Sequence, residues 1–188
     1  NKKSKILEIG SGTGSNIKLL NKFGLVSILE PNKIALNYFE KKKLKIENIK
    51  IGGCPNDLIF SEKFDLVCLF DVLEHIDEDK KTINNISNIL ESNGYIFLTV
   101  PAYQWLWSDH DVRLMHKRRY NIQKLKNILP KNLEIEYLTY FNTFLFPLAI
   151  FDRLIQKFFK IKNNSNFLFF YFLFKKIFIF EKYILNFI

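Results

Sequence analysis

Three glycines within five residues, Gly10-Ser11-Gly12-Thr13-Gly14, follow directly on the apolar run Lys5-Ile6-Leu7-Glu8-Ile9. This arrangement constrains the fold more than any other feature of the chain. A short apolar run closed by glycines reads as a buried strand that breaks into a tight loop, where the missing side chains let backbone approach a ligand. Asn16–Phe23 then reads as a helix stopped by Gly24, and the first turn of such a helix presents unpaired N–H groups to an anion. In an open α/β sheet this strand–loop–helix corner lies at the carboxyl ends of the strands, where ligands bind.

The rest of the chain continues the alternation. Leu25–Leu29, Ile46–Ile51, Phe64–Phe70, Tyr95–Val100 and Leu133–Phe141 read as five further strands. Asn32–Lys43 and Asp79–Leu90 read as helices between them, the second from the spacing of Ile83, Ile86, Ile89 and Leu90. Phe64–Phe70 is nearly all apolar, as expected for a strand covered on both faces. Asn93-Gly94 predicts a turn before Tyr95, and Asn121 predicts the cap of a helix that Pro130 ends. The predicted fold is therefore a doubly wound, mainly parallel α/β sheet with helices on both faces.

Composition changes only near the end, where fourteen of the twenty Phe residues fall in the last 48 positions. Two helices are expected there, at roughly 143–160 and 167–186, around a polar break at Lys162-Asn-Asn-Ser-Asn166. This divides the chain into a core, 1–141, and a Phe-rich helical extension, 142–188, that covers the core or meets a partner or membrane surface. The chain starts almost on its first strand and shows no seventh, as a fragment or a trimmed chain would.

The formal charge of +9 favours an anionic partner: nucleic acid, an acidic membrane surface or a phosphorylated substrate. Cys54 and Cys68 have no metal-binding spacing, which suits a reducing cytoplasm. The longest apolar run, Phe167–Phe174, falls well short of the roughly 20 residues of a spanning helix, so none is expected. No signal peptide is legible.

The spacing of the glycine loop is G-x-G-x-G, not the G-x-G-x-x-G of dinucleotide binders, and Glu30 stands after the second strand as an acid suited to ribose hydroxyls. Taken in order, ILEIGSGTGSN, ILEPN, FDLVCLFDVLEHIDED and NGYIFLTVP resemble successive motifs of the class I S-adenosylmethionine-dependent methyltransferases, over roughly residues 5–141. The resemblance implies a Rossmann-like sheet and S-adenosylmethionine as cofactor. It implies that Glu8, Gly10, Ser11, Gly12 and Gly14 surround the methionine part and that Glu30 holds the ribose. It also places Pro31 and Asn32 beside the adenine, with Phe70 and Asp71 walling the site. Where the family has an Asp followed by a small residue with a free N–H, this chain has Cys54-Pro55, and proline has no N–H. Adenine recognition then falls to Asn56 or Asp57.

The acceptor is less legible. Asp71-x-x-Glu74-His75 resembles the metal-binding motif of ubiquinone-pathway O-methyltransferases, with three residues on one helical face. The same string is common in relatives that bind no metal, so no metal is expected. After the fifth strand come Trp105, Asp109, His110, Arg113, His116, Arg118, Arg119 and Tyr120, in a segment resembling a subgroup with an H-D-x-x-x-x-H-x-R-R-Y signature. His110 or His116, with Asp109 near, suits a general base. Arg113, Arg118 and Arg119 suit a phosphate or carboxylate clamp, with Trp105 and Tyr120 lining it.

The expected activity is O-methylation of a small or lipid-linked anionic acceptor, of the cell-surface glycan or glycolipid kind. The expected place is the cytoplasm or the cytoplasmic face of an anionic membrane. RNA methylation, or cofactor binding without catalysis, are the alternatives; the absence of an appended RNA-binding module and of an Asn/Asp-Pro-Pro-aromatic motif weighs against the first.

Overall fold

The computed structural model describes residues 3–143 together with 146, 147 and 150. Contacts divide the chain into two units, residues 1–104 with 110–134, and residues 105–109 with 135–188. The first unit is a five-stranded parallel sheet in the order β3-β2-β1-β4-β5. Its strands are β1 (Ser4–Ile9), β2 (Gly24–Glu30), β3 (Ile49–Ile51), β4 (Phe64–Phe70) and β5 (Leu90–Thr99). The chain winds outward from β1 to β3, then crosses back to place β4 on the other side of β1. The reversal opens a crevice at the carboxyl ends of β1 and β4.

Side chains alternate along β1 and feed two cores. Leu7 and Ile9 join Leu29, Val67, Leu69, Ile83 and Ile86 on one face, while Ile6 joins Val26, Ile28, Cys68, Leu20 and Phe39 on the other. Helices α1 (Ile17–Leu20) and α2 (Ala35–Lys41) supply residues to the second core. Helices α3 (Asp79–Asn88) and α5 (Ile122–Ile128) supply the first. The short helix α4 (Asp109–Arg113) stands between β5 and α5 in sequence. The doubly wound α/β expectation holds.

Several boundaries differ, each for a local reason. Helix α2 begins at Ala35 and not Asn32, because the Asn32 side chain accepts a hydrogen bond from the Ile34 N–H (2.9 Å) and holds a turn there. Strand β3 is shorter than Ile46–Ile51, although pairing with β2 is already announced by the Glu47 N–H donating to the Val26 carbonyl. The turn expected at Asn93-Gly94 is a bulge inside β5: Leu90 pairs with Phe64, yet Tyr95 pairs with Leu66. Glycine is needed there, since a Cβ on Gly94 would lie 2.9 Å from the Phe64 carbonyl oxygen. Asn121 caps α5 as expected, accepting from the Lys124 N–H at 2.7 Å, and the helix ends before Pro130.

The sixth strand is a correction. Residues 133–141 form no strand, and Ile135 and Tyr137 are exposed. Alternation gives a segment the side-chain pattern of a strand, but a strand exists only with a ladder partner. The boundary between the two units falls inside this segment. The expected helices at 143–160 and 167–186 lie almost wholly outside the described residues. Among the described residues no helix is long and apolar enough to cross a membrane.

Candidate active site

The glycine loop sits at the crevice. Gly10, Gly12 and Gly14 all have positive φ, +68°, +53° and +73°, a region that side chains disfavour. A Cβ on Gly10 would lie 2.6 Å from Val72 Cγ2, and one on Gly14 would lie 2.4 Å from Leu44 Cδ1. One on Gly12 would meet nothing within 4 Å. Gly10 and Gly14 are therefore packing glycines, while Gly12 faces open space.

Two carboxylates brace the loop. Glu30 is buried, and its two oxygens accept from the Gly12 N–H (2.8 Å) and the Asn32 N–H (2.9 Å). Each oxygen keeps a further lone pair for another donor. Glu8 is 1% exposed; its Oε1 accepts from Asn16 Nδ2 at 3.0 Å, but its Oε2 is buried without a partner, as is the hydroxyl of Ser11. Burial pushes the Glu8 carboxyl above the ordinary glutamate value, against the Asn16 hydrogen bond that pulls it down. A cavity lined by Gly12, Thr13, Glu30, Asn32 and Tyr38 opens beside this loop.

Beyond β3, Asp57 lies in the expected loop, but its Oδ2 accepts from the Gly53 N–H at 2.8 Å, so its carboxylate shapes the turn around Cys54-Pro55. That peptide bond is cis. Beyond β4, Asp71 has φ +53° and pairs with Thr99, whose hydroxyl donates to Asp71 Oδ1 at 3.1 Å. Phe70 packs edge-on against Phe97.

The segment that follows β4 forms a second constellation with residues 111–120. Leu73–His75 is a single 3₁₀ turn, and Asp71 precedes it at φ +53°. One ligand-type atom each from Glu74, His75 and His116 lies within 4.8 Å of the others, a group that does not include Asp71. The His75 and His116 rings meet edge to face at 4.8 Å. Glu74 is fully buried with neither oxygen hydrogen-bonded, and burial lifts its carboxyl to about 7. Burial, with His116 beside it, holds the His75 imidazole below its ordinary value.

Most of the basic residues in this segment already have acidic partners. Arg119 is buried and forks onto buried Asp111, Nε to Oδ1 at 2.7 Å and Nη2 to Oδ2 at 3.0 Å, with Nη1 on the Ala102 carbonyl. Asp111 Oδ1 also meets His116 Nδ1 at 2.9 Å. Tyr120 is buried and donates its hydroxyl to Asp79 Oδ2 at 2.8 Å, where Arg118 Nη1 also binds at 2.8 Å. Lys117 pairs with Asp77. Burial works to raise the Asp79 carboxyl, but its bonds from Tyr120 and Arg118 outweigh this and hold it below 3.8. Lys117, Arg118 and Tyr120 thus hold residues 116–120 to the segment after β4, while Arg119 ties the same stretch to Asp111 and Ala102. Arg113 stays exposed on α4, which Asp109 and His110 begin. Trp105, in the second unit, packs edge-on against Phe146 at 6.0 Å.

Residues 1–141 match a protein family described as a methyltransferase domain. The chain belongs to that family. It is 30% identical over 109 residues to histidine protein methyltransferase 1 homolog of Dictyostelium discoideum, 53% of this chain and 35% of that protein. It is 28% identical over 144 residues to the ubiquinone/menaquinone biosynthesis C-methyltransferase UbiE of Wigglesworthia glossinidia brevipalpis, 70% of this chain and 56% of that protein. The chain spans between about a third and somewhat over half of the length of these relatives. The YcgJ protein of Bacillus subtilis superposes with a TM-score of 0.58 over 88% of this chain and 80% of its own, at 15% identity, a likeness of fold.

The residues present fit S-adenosylmethionine as the methyl donor. The lone Glu8 oxygen and Ser11 hydroxyl are buried polar atoms in want of a polar partner, as the amino-acid end of that cofactor is. Gly12 leaves backbone free to approach, and Glu30 is placed after β2 to accept from ribose hydroxyls.

Sequence reasoning missed three parts of the methyltransferase's architecture. Asn16 positions Glu8, Thr99 holds Asp71, and Asp111 holds both His116 and Arg119. Asp111 was legible as the D of the H-D signature, directly after His110. Asn16 closes the stretch ILEIGSGTGSN and Thr99 lies within NGYIFLTVP, but neither stretch names the carboxylate it holds.

Proposed function

We propose that this methyltransferase moves the methyl group of S-adenosylmethionine to an oxygen of a small or lipid-linked anionic acceptor. The observation that carries the donor half is the buried, unpartnered oxygen of Glu8 beside a glycine loop whose middle glycine faces open space. The cofactor supplies a methyl carbon already activated by its sulfonium, so the protein must chiefly align donor and acceptor and exclude water. Glu8 and Ser11 would hold the amino-acid end, and Glu30 the ribose.

A hydroxyl acceptor must also lose a proton as its oxygen bonds to the methyl carbon and the carbon–sulfur bond breaks. The cluster of Glu74, His75 and His116, just past the carboxyl end of β4, is the concentration of proton-accepting groups nearest in sequence to Asp71. That supports oxygen, because a neutral amine would not need such help. For anion binding, Arg113 is the arginine of the three that keeps its guanidinium out of the internal pairs among the described residues. Support for a lipid-linked acceptor is the Phe- and Lys-rich sequence 142–188.

Calorimetry with S-adenosylmethionine and with NAD tests the donor, the first being expected to bind and the second not. Transfer of labelled methyl to hydroxyl-bearing sugar phosphates and to matching amines tests the acceptor. Label recovered only on nitrogen would refute the oxygen assignment. Unchanged transfer in Arg113→Ala would refute the anion clamp.

A further inference from the structure

We propose that Glu74, His75 and His116 form a binding site for one divalent transition-metal ion of the zinc type. Glu74 is, among the described residues, the carboxylate with both oxygens buried and neither hydrogen-bonded. It is 0% exposed, so bulk solvent does not reach it. A buried carboxylate needs a positive partner or a donor, and here it faces two imidazoles.

The hydrogen bonds behind the histidines fix what those imidazoles offer. Asp111 is ionised by its two-pronged pair with Arg119, so it accepts from His116, and His116 Nδ1 must be the donor. In the neutral ring this leaves the lone pair on Nε2, which lies 3.9 Å from Glu74 Oε1. One ligand-type atom each from Glu74, His75 and His116 thus converges within 4.8 Å, and neither Glu74 oxygen has a protein hydrogen-bond partner. A metal-binding histidine characteristically gives its other N–H to a carboxylate or carbonyl, and His116 has such a partner in Asp111.

The set has the composition of an open site. Two imidazoles and one carboxylate suit zinc and its neighbours better than magnesium or calcium, which prefer oxygen. Bonds of about 2.0–2.2 Å bring tetrahedral ligands to roughly 3.4 Å apart, so separations of up to 4.8 Å would have to close by rotation of side chains. Three protein ligands leave a fourth position for a further ligand. A metal there would polarise an oxygen ligand of an incoming molecule. The site stands on its own geometry and holds whether or not the acceptor is a hydroxyl.

The test is metal binding, read without turnover. The full chain is stripped with chelator and titrated with Zn²⁺ against a chromophoric competitor, then with Co²⁺ while the visible spectrum is followed. One Zn²⁺ per chain is expected, with an intense Co²⁺ band of the four-coordinate kind. Glu74→Gln, which keeps the shape, and His75→Ala, at an exposed position, should each weaken binding at least 100-fold while far-UV circular dichroism stays unchanged. Asp111→Asn should weaken it about 10- to 100-fold, as expected for an outer partner. Binding that is absent, or equally tight in Glu74→Gln and His75→Ala, would overturn the proposal and leave a proton as the occupant of the gap.

Discussion

Replacing Glu8 by Gln separates what the cofactor site does from what the fold would prefer. Glu8 is 1% exposed, with Oε1 satisfied by Asn16 and Oε2 by nothing. An acceptor left buried and unpaired costs about 1–3 kcal/mol, more when charged. Glutamine removes the charge and keeps the Asn16 bond through its carbonyl, but its amide brings an unpartnered donor of its own. The net gain for the empty protein is then about 1 kcal/mol, or roughly 2–4 °C in melting temperature for a chain of this size. The pH dependence follows from the direction of the shift. The Glu8 carboxyl is raised above 4.5, so the penalty is absent below that value, grows as pH rises and is complete above the folded-state value. The advantage of Glu8→Gln should therefore appear on going from acid to neutral pH. Cofactor affinity should move the other way. A hydrogen bond to a charged group contributes about 1.5–3 kcal/mol, so Glu8→Gln should weaken S-adenosylmethionine about 10- to 100-fold. Scanning calorimetry at pH 4 and 7, with titration calorimetry at pH 7, gives both numbers. A variant that is less stable when empty at pH 7, or that binds the cofactor as tightly as the parent, would refute the reasoning.

The glycines should separate in the same pair of measurements. Gly10→Ala and Gly14→Ala force a Cβ to 2.6 and 2.4 Å from neighbours at positive φ and should lose about 1–3 kcal/mol of stability. Gly12→Ala meets no neighbour, so it should cost only about 1 kcal/mol in backbone strain yet weaken cofactor binding. Arg119→Lys exchanges a fork for a point charge at buried Asp111; unfolding in urea should show a loss of about 3–5 kcal/mol, as for a broken buried pair. Tyr120→Phe removes one of the bonds that hold Asp79 below 3.8, so the stability Asp79 confers, present above that pH and lost as pH falls through its folded value, should be lost at higher pH than in the parent. Acid titration followed by circular dichroism checks this.

What was legible in the sequence is what local chemistry decides. Gly10, Gly12 and Gly14 had to mark a loop with positive φ, Asn121 had to cap a helix, and the apolar β4 had to be an interior strand covered on both faces. Residues 133–141 had an equally plausible alternation and form no strand, because a strand depends on a partner that its own residues do not name. The same limit explains the basic segment. Arg118, Arg119 and Tyr120 read as substrate contacts while their partners were unknown. Asp79 lies some forty residues upstream of Arg118 and Tyr120, and only the path of the chain after β4 and β5 brings them together. Asp111 lies eight residues before Arg119, within the same signature, yet spacing could not show that the two were paired. His116 shows both halves of this lesson. Its type and its signature were visible, and they suggested a general base, with His110 as the other candidate and Asp109 near. The contact with Glu74 and His75 was invisible, since no sequence spacing encodes two loops meeting, and that contact turns a base into a candidate ligand. The glycine loop is written in one contiguous stretch and could be read; the cluster of Glu74, His75 and His116 is assembled from two distant segments and had to be seen.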